Sequence, residues 1–425
     1  MAAMRRVASV AAVLLLAITA CGRINQQQDT LAPRVAAPEP PAAVEVARAS
    51  SPRGGRDSGP AEDQQPIQAS QPAQPSASAA PASAIPISSA PPAAPASAKP
   101  AASASDRPTP GAQPAPAVAP TASRTLLQPV QHEYETWNNC APVTAEMVLS
   151  YYGISKRQTE IAPVLRPHPK NFSVRMDQIA AYLEQFGLEG QPLIGGSVAQ
   201  LKALVSNNVP VVVEDQLSLQ DDYGHFRVVR GFDDAAGVVI FGDSYFGPTN
   251  RLTYGLYQEL WKRHNYSFMP VYRPAQRPLV QAILGRDFDP SQNAEHALND
   301  ARQAAASRPD DGFAWLNFGS DLYRAGNLPE ARAAWDRARQ LQLTGRTLWY
   351  TIWPAAVYNR LGEYQHALEV VAIPLGTDPF NAEALLERGN AYRGLGNKDR
   401  ARADYAMASE VDPSLLPARN ALASV

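Results

Sequence analysis

The chain has 425 residues, with 38 Lys and Arg against 40 Asp and Glu and a formal charge of −2. That balance, with no basic stripe along the chain, argues against a nucleic-acid partner. Its two cysteines, Cys21 and Cys140, exclude a disulfide framework, and its length allows for more than one domain.

Residues 1–21 read as an export signal. Arg5 and Arg6 form a charged start, and Val10 to Ile18 is an apolar core too short to span a bilayer. Ile18-Thr19-Ala20-Cys21 resembles a bacterial lipobox. The resemblance implies that Cys21 is lipidated and becomes the new N-terminus, leaving a lipid-anchored, extracytoplasmic protein of the cell envelope. The alternative is an ordinary secretory signal cleaved after Ala20. Gly22 stands where an Asp would mark retention at the inner membrane of two-membrane bacteria. Residues 22–125 are rich in Ala, Pro, Ser and Gln and too poor in apolar groups to offset chain entropy. They read as a disordered tether, on the order of 55 Å long as a coil and roughly 310 Å as continuous polyproline II.

Residues 126–274 read as an α+β domain. Val143, Met147, Val148 and Tyr151 recur at helical spacing, and Gly153 closes that helix. Further helices are expected over Ser155 to Leu165 with Ser155 as cap, over Met176 to Phe186 ending at Gly187, and over Ser197 to Val205 with Ser197 as cap. Strands are expected over Val209 to Val213, Phe226 to Phe232 and Val238 to Gly242, the last two joined by a turn at Asp234 to Gly237.

Once Cys21 is lipidated, Cys140 is a lone thiol in an exported chain, and it stands just ahead of the first helix. Thiols at helix N-termini, and thiols beside an imidazole, ionise more readily. His225 begins one strand and Asp243 ends the next, so a hairpin would bring them together and let the carboxylate orient the ring. His132, His168, His264, His296 and His366 lack such context. No histidine and cysteine spacing indicates a metal, and no cofactor is expected. Asp221 and Asp222 read as a solvated loop. Trp137 reads equally as a packing ring or a substrate-facing one.

The blocks Tyr134-Glu135-Thr136-Trp137-Asn138-Asn139-Cys140, Met147 to Gly153, Asn208 to Val213, Gly224 to Phe232 and Gly242-Asp243 resemble the C39-like peptidase family, a papain-like cysteine peptidase fold. The resemblance covers about a third of the chain. It implies that Cys140 is the nucleophile, His225 the general base and Asp243 the orienting residue. It departs at Ala141, where the family carries Gly, and at Glu135, where an upstream Gln supplies an oxyanion-hole amide. An ionised Glu135 cannot donate a hydrogen bond. Gln131 could replace it only if the loop runs differently. The expected function is a cysteine peptidase acting on a peptide or protein. The alternative is a catalytically degenerate peptide-binding lipoprotein of the same fold.

Residues 275–292 read as a short linker stiffened by Pro278 and Pro290, with the apolar run Val280 to Leu284 docking. Residues 293–425 repeat. Gly326-Asn327-Leu328-Pro329-Glu330-Ala331 aligns with Gly362 to Ala367 and again with Gly396 to Ala401, and Leu322, Tyr358 and Tyr392 keep the same offset. A period near 34 with a small-residue turn between paired helices resembles the tetratricopeptide repeat, an all-α solenoid. A leading helix is expected at Ala294 to Ser307. Gly319 and Gly389 occupy the repeat's close-packing position. The stack implies either a groove for a protein partner or a dimerisation or spacer module. The short linker implies that it packs against the preceding domain.

Overall fold

The computed structural model describes residues 120–128, 130–341, 343 and 346–425. The export signal, Cys21 and nearly all of the tether lie outside the described residues.

The first part is built on one antiparallel sheet. Its elements run β1 (Arg124–Leu126), α1 (Cys140–Tyr151), α2 (Gln158–Leu165), α3 (Met176–Glu184), β2 (Glu189–Gly190), α4 (Val198–Ser206) and β3 (Val211–Gln216). They continue with β4 (Gly224–Asp233), β5 (Val238–Asp243), β6 (Gly247–Thr253), α5 (Tyr254–Trp261) and β7 (Phe268–Tyr272). The strand order is β2-β7-β3-β4-β5-β6, with β1 added on β4. Side chains of a strand alternate between its faces, and here both faces are covered. Val212, Phe226, Val228, Met269 and Val271 pack with α1 to α3. Val211, Val213, Val229, Phe241 and Phe268 pack with Leu204, Tyr257, Trp261 and Val280 on the other side. Burial on both faces explains why β3 and β5 read as apolar runs without alternation.

Several boundaries moved for identifiable reasons. α2 starts at Gln158 instead of Ser155, and Arg157 is its cap residue, its N–H donating to Glu160 at 3.0 Å. Gln158 is drawn in by tertiary partners: its own N–H donates to Glu146 at 2.8 Å. β3 starts at Val211 because Pro210 has no N–H for the ladder, and it continues through the buried Glu214, Asp215 and Gln216. Ser197 caps α4 as expected, accepting from the Gln200 N–H. The expected hairpin is present, turning at Gly237 with φ +64°. β6, α5 and β7 had no counterpart in the sequence reading. β1 crosses the boundary drawn at residue 125. The stretch read as a linker folds into α6 (Arg277–Leu284) and the start of α7 (Pro290–Ser307).

The second part is helical: α8 (Gly312–Arg324), α9 (Leu328–Ala338), the short α10 (Thr347–Tyr350), α11 (Trp353–Arg360), α12 (Tyr364–Thr377), α13 (Ala382–Gly394), α14 (Lys398–Val411) and α15 (Leu416–Ala423). The three aligned glycines turn the chain between α8 and α9, α11 and α12, and α13 and α14, with φ of +81°, +78° and +78°. Only glycine takes that conformation without strain. At Gly319 a Cβ would lie 2.5 Å from the Trp353 ring, so the helices approach only because it is absent. The repeats share one core of alanines, Leu316, Leu322, Trp335, Trp353, Val371, Leu385 and Tyr405.

The two parts touch along several side chains. Asn265 donates to Asp321 at 2.7 Å, Asn317 to the Lys262 carbonyl at 2.7 Å, and Arg175 pairs with Asp412. Among the described residues no helix is long and apolar enough to cross a membrane.

Candidate active site

Cys140 is the first residue of α1. The first N–H groups of a helix have no intrahelical acceptor, and that of Cys140 is among them. The loop before it is pinned. Asn138 takes φ +59° and donates to the Phe172 carbonyl at 2.8 Å. The Gln158 side-chain oxygen accepts from the Thr136 N–H at 2.9 Å and from Asn139 at 2.8 Å, while Arg166 donates to Asn139.

His225 lies near the start of β4, buried, with its Nε2–H donating to Asp243 at 3.1 Å. An ionised carboxylate only accepts, so the proton sits on Nε2 and Nδ1 is the nitrogen left for Cys140. The thiol sulfur, a His225 ring nitrogen and a Glu135 carboxylate oxygen lie within 4.8 Å of one another. Burial by itself would push the imidazole down. The Asp243 carboxylate and the hydrogen bonds to Asp243 and Cys140 outweigh it and push the ring up to about 10. The pairing with Asp243 thus favours the charged ring, with Nε2–H on Asp243 and Nδ1 facing the Cys140 sulfur.

Asp243 ends β5, and its carboxylate accepts five hydrogen bonds. Besides His225 it accepts from Arg227 at 2.7 Å, Asn250 at 2.9 Å and the N–H groups of Tyr245 and Phe246 at 2.8 and 3.0 Å. Burial opposes its charge, but His225, Arg227 and the Phe246 N–H together hold the carboxyl well below the usual carboxylate range. Arg227 is 0% exposed and divides its guanidinium between Asp243 and Asp215, the latter at 3.0 Å. The structure thus brings Cys140 beside His225 and His225 beside Asp243.

Glu135 joins them. Its N–H donates to the Ser244 carbonyl at 3.0 Å and its carboxylate accepts from Ser244 Oγ, which ties it to the end of β5. Burial pushes its carboxyl up against the opposing charge of His225. Gln131 is exposed, with its N–H on Ser150.

Four residues of the site had no role in the sequence reading. Arg227 sits two positions after His225 and therefore on the same side of β4; an arginine in an otherwise apolar strand, on the face of the histidine, was the available signal, and Arg230 in the same strand lies on the other face. Asn250 comes from β6, which was not foreseen. His132 donates through Nε2 to the Asp243 carbonyl at 2.9 Å. Tyr350 comes from the repeats: its hydroxyl accepts from the Gly224 N–H at 2.7 Å, and its ring meets His264 edge-on at 5.3 Å. Arg346 bonds Asp222 at 2.9 Å and lies over the Tyr223 ring, so the loop read as solvated is held by the repeat part. Around the site Tyr134, Trp137, Tyr245 and Phe246 are exposed. Trp137 also packs edge-on against Phe172, in keeping with the packing role considered for it.

Residues 125–267 match the model of the Peptidase_C39 like family. No curated protein matches the chain. Among solved structures it is similar to a protein described as a C39-like peptidase from Bacillus anthracis, with 14% identity, 35% of this chain and 98% of that one covered, and a TM-score of 0.29. It is also similar to the peptidase domain of Streptococcus ComA, with 15% identity, 34% and 98% covered, and a TM-score of 0.28. MamA from Desulfovibrio magneticus RS-1 gives 21% identity, 31% and 72% covered, and a TM-score of 0.27.

Proposed function

We propose that the chain is a thiol peptidase with a helical-repeat domain for a protein partner. The observation that carries this reading is the buried imidazole of His225, placed between Asp243 and Cys140 inside a segment that matches the Peptidase_C39 like family. The Cys140 thiolate attacks a peptide carbonyl carbon, and the C–N bond breaks as the His225 imidazolium gives its proton to the leaving amine. Water then hydrolyses the thioester with His225 as base, releasing the acid and restoring the thiol. Asp243 keeps the ring in the tautomer that points Nδ1 at sulfur, and the Cys140 N–H supplies one oxyanion donor. The exposed Tyr134, Trp137 and Phe246 favour peptides with bulky apolar side chains near the scissile bond. The test is hydrolysis of a peptide library together with iodoacetamide labelling of Cys140. Labelling at the rate of an ordinary free thiol, equal in wild type and His225→Ala, would sink the proposal.

A second reading is favoured by Glu135. Where it is ionised it offers no donor to an oxyanion, and losing one such donor typically costs about 100- to 1000-fold in rate. The domain would then hold peptides without cutting them. Glu135→Gln separates the two: hydrolysis that appears only in the variant supports the binding module.

The same proposal places the protein outside the cytoplasm, anchored through a lipid on Cys21. Cys21→Ala would move it from the membrane to the soluble fraction, and retention at the membrane would require another anchor.

A further inference from the structure

We propose that Glu135, Cys140 and His225 form a reversible binding site for a thiophilic divalent cation of the zinc type. The three donor atoms come from a loop, a helix N-terminus and a strand, and all lie within 4.8 Å of one another. Among the described residues no other trio of these residue types converges in this way. Tetrahedral zinc bonds of about 2.0–2.3 Å place neighbouring donors roughly 3.3–3.8 Å apart. Closing the widest gap therefore needs a movement of about 1 Å, within reach of side-chain rotation at Glu135.

The donor chemistry selects the ion. One sulfur, one imidazole nitrogen and one carboxylate oxygen suit zinc and its cobalt analogue, whereas magnesium and calcium prefer oxygen ligands alone. Thiolate and carboxylate together match the two charges of the cation, and the proton that the thiol shares with His225 Nδ1 leaves to solvent, so that the ring binds as neutral imidazole. Three ligands leave a fourth position open for water.

The supporting groups are already in place. A metal-bound histidine generally donates its other N–H to a carboxylate, and His225 Nε2–H donates to Asp243 at 3.1 Å. Asp243 is itself fixed by Arg227 and Asn250, and Ser244 Oγ holds Glu135. The Arg166 side chain, whose guanidinium bonds Asn139 next to Cys140, adds one positive charge at the rim. It weakens the attraction and makes the site exchangeable. A bound cation occupies the sulfur and Nδ1 lone pairs that attack and proton transfer require. Occupancy therefore silences thiol chemistry, a consequence that rests on the peptidase reading, whereas the binding does not.

The full chain is titrated with cobalt(II) and then with zinc. The expected result is a one-to-one thiolate-to-cobalt charge-transfer absorption that zinc bleaches. Cys140→Ser abolishes it. Glu135→Gln, with an unchanged thermal unfolding transition, binds at least about tenfold more weakly, the low end of what even a supporting group contributes. Absence of the absorption in folded wild type overturns the proposal, as does equal affinity in Glu135→Gln. Metal binding in a protein that hydrolyses no peptide supports the site and removes the peptidase reading. Hydrolysis unaffected by saturating zinc overturns the inhibitory role.

Discussion

The sheet part and the repeat part of this molecule are held together by different means. In the sheet part, charged groups are buried and shared: Arg227, Asp215 and Asp243 have no exposure, and Glu146 is equally buried within α1. The repeat part also buries Asp321, Asp404 and Asp412, but the first and last of these bond to the sheet part, and the core the repeats share is alanine, leucine and aromatic rings, with glycine where helices approach closely. Each buried charge in the sheet part depends on partners from distant chain segments, so a change there is felt across the domain. The repeats depend on neighbours about one period away, so a change there stays within a repeat or two. On that basis single changes are expected to cost more in the first part than in the second.

Four changes would break or sharpen that contrast. The largest effect is expected for Arg227→Met, which leaves Asp215 buried without its cation and Asp243 with that of His225 alone. Breaking a buried pair costs about 3–5 kcal/mol, so chemical denaturation should show a large drop in the unfolding midpoint together with loss of Cys140 reactivity. A drop below about 1 kcal/mol, the range of an exposed pair, would show that the sheet part is as tolerant as the repeats.

The second concerns pH. Burial first, and then the neighbouring Glu133, push the Glu146 carboxyl up to about 8 from an ordinary 4.5. A folded-state value above the unfolded one means stability that is full below about 4.5 and lost as pH rises through about 8. Thermal midpoints should fall over that window by the equivalent of roughly 2 kcal/mol. A pKa raised by one pH unit corresponds to about 1.4 kcal/mol, and the total is reduced because the two carboxyls share the proton and solvent screens part of their repulsion. Glu146→Gln should flatten the profile. An unchanged slope in the variant would assign the dependence to another group.

Third, Gly319→Ala in the repeats places a methyl against Trp353. Overpacking of this kind costs about 1–3 kcal/mol. Hydrogen exchange should report the loss in α8, α9 and α11 and spare the sheet. Loosening of β4 and β5 would show that the two parts unfold as one.

The smallest effect on stability is expected for Tyr350→Phe. It removes one hydrogen bond, worth about 0.5–1.5 kcal/mol, between the repeat part and Gly224. His225 follows Gly224 directly, so the reactivity of Cys140 should fall more than stability does. Reactivity equal to wild type would mean that the repeats merely rest against the site. The Cβ of an alanine at position 224 would meet the Tyr350 and His264 rings within 2.9 Å, so Gly224→Ala tests the same contact by steric means.

The repeats were legible in the chain because their physics is local. Gly326, Gly362 and Gly396 recur near a period of 34 since each turn needs the same positive φ, and the helices between them bury faces set by that period. The order Cys140, His225, Asp243 was legible for a related reason: a helix N-terminus and the two ends of one hairpin are short-range features. In the stretch read as a linker the apolar run Val280 to Leu284 docks as expected, with Val280, Ile283 and Leu284 in the core; what the reading lacked was that the run is helical, as α6, which composition alone does not reveal. β6 is mostly exposed at an edge of the sheet, and β7 pairs across to β3; neither announces itself by pattern. The convergence of Glu135 on Cys140 and His225, the fivefold grip on Asp243 and the reach of Tyr350 into Gly224 belong to tertiary structure alone. They join segments separated by up to 126 positions, and no spacing rule read along the chain encodes a distance measured through space.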